Sequence, residues 1–253
     1  MNRGVLAAVF AVVVLAGIII IAAGQKPQPA LNGTNVSGNM TGNSTGGVNS
    51  TPPKNTTPEV APPPAINVSK LAEKGLRMGS DDAPVIMVEY SDYQCQFCRR
   101  FWQMNFATLK EQYLDTGLVQ LVYRDLPLSF HNAAEASAQA AACAEDQGKG
   151  WEMHDKIFGV QANVSTGLVF YAKSDLKQWA GEIGVDQAEF DSCLDSGKYS
   201  LFVNESRDEA LSLGFNATPS FAMGLRNGTN YVTLTGALPY GTFKATLDEL
   251  LSQ

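Results

Sequence analysis

The feature that most constrains this chain is Cys95-Gln96-Phe97-Cys98, two cysteines three positions apart where an apolar run gives way to helical spacing. Val85-Ile86-Met87-Val88-Glu89-Tyr90 is a short β-branched segment and reads as a buried strand. Ser91 to Gln94 is a polar link. From Cys95 to about Tyr113, the residues Phe101, Trp102, Phe106, Leu109 and Tyr113 follow helical spacing until Asp115-Thr116-Gly117 ends it. In the first turn of a helix, residues i and i+3 share a face about 5–6 Å apart, so two sulfurs can join or part with little backbone motion. The first cysteine also meets unpaired backbone N–H groups and the positive end of the helix dipole, which favour thiolate. Thiolate is the attacking and leaving species in disulfide exchange. Cys95 is therefore expected as an exposed nucleophile, and Cys98, beside Phe101 and Trp102, as a buried resolving thiol.

Two other uses of the pair compete. A zinc site needs about four ligands, and the further candidates are Cys143, Cys193, His131 and His154, without a second C-x-x-C. A purely structural bridge across three residues makes a poor staple for a fold. The adjoining β-α-β pattern favours a redox-active Cys95–Cys98 disulfide, which needs no metal or organic cofactor.

Val119-Gln120-Leu121-Val122-Tyr123 reads as a second strand, followed by a long helical tract from Asn132 to Gly214, broken near Gly148 and between Asn163 and Tyr171. Ser220 to Met223 and Tyr231 to Leu234 read as strands around an Asn227-Gly228 turn, and a last amphipathic helix runs from about Tyr240 to Leu251. The order β-α-β, helices, β-β-α predicts an α/β mixed sheet with helices on its faces and a helical insertion over about 129–214.

The net charge of -7 is unevenly spread. Residues 1–69 hold Arg3, Lys26 and Lys54 against Glu59, so the rest of the chain is strongly acidic. That body lacks the clustered Lys and Arg that nucleic acid requires, and nucleic-acid binding is set aside. Gly4 to Gly24 is free of charge and, at 1.5 Å per residue, makes about 31 Å of helix, enough to cross a bilayer core of about 30 Å. Residues 1–25 therefore read as a signal anchor, or as a signal peptide cleaved after Ala22-Ala23-Gly24. Residues 26–69 are mostly Asn, Thr, Gly, Pro and Ser and are expected to be a disordered linker. Asn32, Asn35, Asn39, Asn43, Asn49, Asn55 and Asn67 are each followed two positions later by Ser or Thr, where chance gives about one or two. A glycosylated stalk outside the cell is the expectation.

The stretches VEYSDYQCQFCRRF, FHNAAEASAQAAACAEDQGKGWEMHDKIF, FDSCLDSGKY and GFNATPSFAMG resemble the DsbA-type thioredoxin-fold disulfide oxidoreductases, in particular their membrane-tethered bacterial and archaeal branch. The likeness runs from about Leu76 to Leu251 and implies a thioredoxin-like fold with a helical insertion over 70–253. It places Pro219, after Thr218, at the family's cis-proline, where the backbone of Thr218 would meet an extended substrate. It also aligns Glu89 with a buried carboxylate that exchanges a proton with the resolving thiol; as a strand residue, Glu89 equally well faces solvent. The dipeptide Gln96-Phe97 lacks the histidine of the best-known member, which implies a weaker oxidant. Arg99 and Arg100 read as a solvated helix face, or else as cations that in part stabilise the Cys95 thiolate, and His131 and His154 as surface or capping residues. Four cysteines in an oxidising compartment point to a structural disulfide between Cys143 and Cys193, with two free buried thiols or a second redox pair as the alternatives. The expected function is extracytoplasmic disulfide formation in reduced or misoxidised secreted proteins, with an unnamed membrane or small-molecule redox partner. A reductase or isomerase, and a non-enzymatic surface binding domain, are the alternatives.

Overall fold

The computed structural model describes residues 67–253. The leader, most of the spacer and the sequons from Asn32 to Asn55 lie outside the described residues. No helix among the described residues is long and apolar enough to cross a membrane.

Five strands form one mixed sheet: β1 (Leu76–Met78), β2 (Val85–Ser91), β3 (Val119–Asp125), β4 (Ser220–Leu225) and β5 (Val232–Thr235), in the order β1-β3-β2-β4-β5. β2 and β3 are parallel, and the other pairings are antiparallel. The crossover between β2 and β3 is a helix, α2 (residues 96–114), which carries Cys98 and is capped by Cys95. Every residue of β2 and of β3 is buried, as central strands covered on both faces require, including the polar Glu89, Ser91, Gln120, Arg124 and Asp125.

The two faces are filled differently. Val85 and Met87 of β2, with Val119 and Leu121 of β3, pack against α2 and the terminal helix α8 (Tyr240–Leu251). Ile86, Val88 and Tyr90 pack on the other side against α1 (Val68–Leu71), α7 (Ser200–Ser212) and Phe215. Period-two alternation puts Glu89 on the α2 face, opposite Tyr123 in the parallel register.

α2 is not a regular helix. It is α-helical over Gln96–Phe101 and Ala107–Leu109 but widens to π turns over Trp102–Phe106 and Lys110–Leu114. The sequence reading treated the stretch as uniform. The five-residue steps from Phe101 to Phe106 and from Leu109 to Leu114 fit the wider turns, and all four side chains enter the same core.

The helical tract is α3 (Ala134–Glu145), α4 (Gly150–Val160), α5 (Lys173–Glu182), α6 (Gln187–Ser196) and α7. The sequence reading missed the breaks between α5, α6 and α7. Gly184 and Gly197 adopt positive φ there, and the Asp186 carboxylate accepts the Glu189 N–H to start α6. Cys143 of α3 is bonded to Cys193 of α6, with the Cα atoms 5.9 Å apart. Alanines at 138, 140, 141 and 144 let α3 sit deep in the insertion's core.

The body begins earlier than Lys70. Asn67 caps α1 by accepting the Ser69 N–H at 2.8 Å, and Val68 is fully buried against Ile86 and Val88. Asn67 to Ser69 thus belong to the folded unit rather than to the linker.

Candidate active site

β2 ends at Ser91, and Asp92-Tyr93-Gln94 turns the chain into α2 with Cys95 as the N-cap residue. The turn is held by Asp92, whose Oδ1 accepts the Gln94 N–H at 2.7 Å. Cys95 carries extended backbone angles and stands directly before the free N–H groups of the first turn. Both cysteines are thiols.

Their environments pull them apart. Cys98 is wholly buried, and its Sγ accepts the Asp92 N–H at 3.4 Å. Burial, then the hydrogen bond and charge of Cys95, push the Cys98 thiol far up. Cys95 is drawn down to about 6, chiefly by the hydrogen bond from Cys98, against the opposing effect of burial. Thr218 and the backbone N–H groups of Cys98 and Phe97 add to the lowering. At neutral pH the pair is one thiolate beside one thiol.

The expected exposure of Cys95 is corrected: only 4% of the residue is accessible. It lies at the bottom of a groove of about 410 Å³ lined by Phe97, Leu128, Phe130, His131, Leu168 and Thr218 among others. The Thr218–Pro219 peptide is cis, and Sγ of Cys95 stands 3.5 Å from the Thr218 carbonyl oxygen. Phe97 and Phe130 leave half or more of their surface open at the rim. The sequence therefore brings Cys95, Cys98, Thr218 and Pro219 together.

Glu89 is 3% exposed, which decides its facing, and burial pushes its carboxyl up to about 8 against a lesser opposing bond from Ser91. It sits one register step from Ser91 and Asp125, on the same face. Asp125 is a second buried carboxyl, raised to about 7 mainly by desolvation.

Three other readings change. Arg99 is 1% exposed rather than solvated: its guanidinium donates to Gln161 Oε1 and to the Gly167 carbonyl, so the 163–171 segment covers it. Arg100 does lie at the surface. His154 is buried in a ring of Tyr93, Phe106, Tyr123, Trp151 and Phe158 at centroid distances of 4.8 to 5.8 Å. His131 is also buried, with Nδ1 2.7 Å from Asp92 Oδ2. Asp92, Asp125 and His131 were not singled out as site residues. Asp92 alone left a local signal, since an Asp three positions before the N-cap is a turn former whose side chain bonds the N–H two residues on. The other two are buried by contacts from elsewhere in the chain. Among the described residues, no three His, Cys, Asp or Glu side chains cluster as metal ligands.

A mixed sheet crossed by a dithiol-bearing helix, with a cis-proline loop against the first thiol, defines a thioredoxin-like fold with a helical insertion. A family model described as thioredoxin matches residues 71–249, and the chain belongs to that family. Among solved structures, Wolbachia pipientis alpha-DsbA1 superposes with a TM-score of 0.63 at 23% identity, over 73% of this chain and 96% of that one. The "probable disulfide bond formation protein D" of Bacillus anthracis is 29% identical over 56% of this chain and 66% of its own length. The "Na(+)/H(+) antiporter NhaA 1" of Salinispora arenicola is 30% identical over 60% of this chain, which spans only 22% of that protein.

Proposed function

We propose that the protein is a DsbA-type thiol–disulfide oxidoreductase that forms disulfide bonds in secreted proteins. The observation that carries this reading is the split acidity of the pair: Cys95 near 6 and Cys98 far above, with the low one at the floor of an apolar groove. The oxidised pair meets a reduced substrate dithiol. One substrate thiolate attacks Cys95 Sγ, the Cys95–Cys98 bond breaks, and Cys98 leaves with the electron pair and takes a proton. Its high proton affinity makes it a poor thiolate once reduced, so it stays protonated. The second substrate thiolate then displaces Cys95 and the substrate departs oxidised. The stable Cys95 thiolate is the better leaving group in this step.

Within this reading Glu89 relays the Cys98 proton, and the Thr218 carbonyl aligns the backbone of an extended substrate. The apolar rim suits an unfolded polypeptide with hydrophobic residues near its cysteine. Cys143–Cys193 is a structural bridge. Residues 1–25 anchor or export the chain, the glycosylated segment to about residue 66 spaces it from the membrane, and an external oxidant restores the disulfide. A low Cys95 pKa stabilises the reduced enzyme and favours the oxidase direction over reductase or isomerase.

The test is oxidative refolding of reduced ribonuclease by the full chain and by Cys95→Ala. The parent should restore ribonuclease activity and the variant should not exceed buffer. Equal rates would end the reading, and a reduction potential below thioredoxin's (about −270 mV) would reverse its direction.

A further inference from the structure

The protein has two histidines, and only one of them has a counterpart in the exchange chemistry. His154 is enclosed by aromatic rings and burial holds its imidazole below its ordinary value. His131 stands in the loop between β3 and α3, in the wall of the groove that holds Cys95. We propose that His131, oriented by Asp92, is a titratable cation that stabilises the Cys95 thiolate, a part that neither Gln96 nor Phe97 can play. The proposal rests on the exchange reaction proposed above.

The geometry turns on Asp92. Its carboxylate accepts three hydrogen bonds: from the Gln94 N–H at 2.7 Å, from the Leu128 N–H at 2.8 Å, and from His131 Nδ1 at 2.7 Å. The backbone N–H of the same residue donates to Cys98 Sγ. One side chain thereby ties the loop bearing His131 to the turn bearing both cysteines. Asp92 is 1% exposed and His131 8%, so the ring is held, not adrift at the surface. With Nδ1–H committed to Asp92, a further proton enters at Nε2. The groups whose charge bears on His131 are Asp92 and Cys95, and the other cation that feels the Cys95 charge is the buried guanidinium of Arg99, which stays protonated throughout. The rest of the groove's apolar wall, Phe97, Leu128, Phe130, Leu168 and Ala217, carries no charge. In such a low-dielectric setting a thiolate and an imidazolium attract more strongly than they do in water. Burial alone would lower the His131 pKa, but the hydrogen bond and charge of Asp92, with the charge of Cys95, raise it above its ordinary value.

The consequence is specific to one redox state. Reduction of the bridge takes two electrons from the substrate dithiol; Cys98 keeps one proton, Cys95 keeps the negative charge, and one proton of the dithiol is released to solvent. The disulfide has no charge for His131 to stabilise. His131 therefore stabilises the reduced form alone and makes the pair more oxidising.

Binding linkage makes the effect reciprocal: whatever His131 does to Cys95, the thiolate does to His131. In the intact chain, NMR titration of the two histidine rings in the reduced and the oxidised protein reads this without mutation. His131 should titrate about one unit higher when reduced, while His154 stays in place in both states. The same pKa for His131 in both states would overturn the proposal. In a second experiment, His131→Gln is titrated by thiolate absorbance and equilibrated with glutathione. The Cys95 midpoint should rise by about one unit, and the equilibrium should move about tenfold toward the disulfide, which is about 30 mV. If midpoint and potential stay at parental values while His131→Gln still oxidises ribonuclease, the role of His131 is refuted and the exchange reading survives. If the parent itself fails to oxidise ribonuclease, it is the exchange reading that fails.

Discussion

The chain contains two cysteine pairs, and the same residue type sits in opposite surroundings in them. Cys95 and Cys98 lie three positions apart at the mouth of a helix, beside unpaired N–H groups, with the acidities of the two sulfurs drawn apart. Cys143 and Cys193 lie 50 positions apart and join α3 to α6 far along the chain, with no helix start at either sulfur. The first pair encloses almost no chain, so making or breaking it changes little conformational entropy. The second closes a long loop, so breaking it releases much. A cysteine pair is suited to exchange when its surroundings stabilise one thiolate, and to stapling when its span restrains the unfolded chain.

The largest effect should come from opening the long bridge. Loop entropy for a 50-residue span gives Cys143→Ala with Cys193→Ala a loss of about 4 kcal/mol, read by urea unfolding of the oxidised protein. The Cys95 midpoint should not move, since the two pairs act separately; a shift of half a unit or more would show them to be coupled.

A smaller effect should follow from Glu89→Gln. An acid whose folded pKa is about 8, against about 4.5 unfolded, binds an extra proton in the folded state between those values. Stability therefore falls as pH rises from about 4.5 to 8, and at pH 7 the buried carboxyl costs about 3 kcal/mol. The Gln variant should be more stable by about that amount at pH 7, equal to the parent near pH 4, and slower to exchange. A parallel pH profile for parent and variant would mean that Glu89 ionises normally and relays no proton to Cys98.

Much of this organisation was legible in the sequence. The β-branched run at 85–90, the Asn227-Gly228 turn and the terminal helix carry local signals, and the observed elements follow them closely. The C-x-x-C was visible because it is short and its chemistry is local, whereas Thr218-Pro219 stood out only through the family resemblance. What could not be read is burial imposed from a distance. Arg99 resembles any helix-surface arginine until Gln161 and Gly167 close over it. His131 resembles a loop histidine until a carboxylate 39 positions earlier in the chain accepts its hydrogen bond. Glu89 has two faces available in a strand, and only the packing of Met87 and Val85 against α2 selects one. The breaks at Gly184 and Gly197 did leave signals, a glycine and an Asp cap, that were weaker than the run of helix formers around them.

One sulfur of the short pair is a thiolate at neutral pH while its neighbour is not. Alkylation of the reduced full chain with iodoacetamide, mapped by mass spectrometry across pH 4 to 9, reads it directly. Modification should fall on Cys95 with a midpoint near pH 6, leaving Cys98 unlabelled throughout. A midpoint above pH 8, or equal labelling of both cysteines, would contradict it.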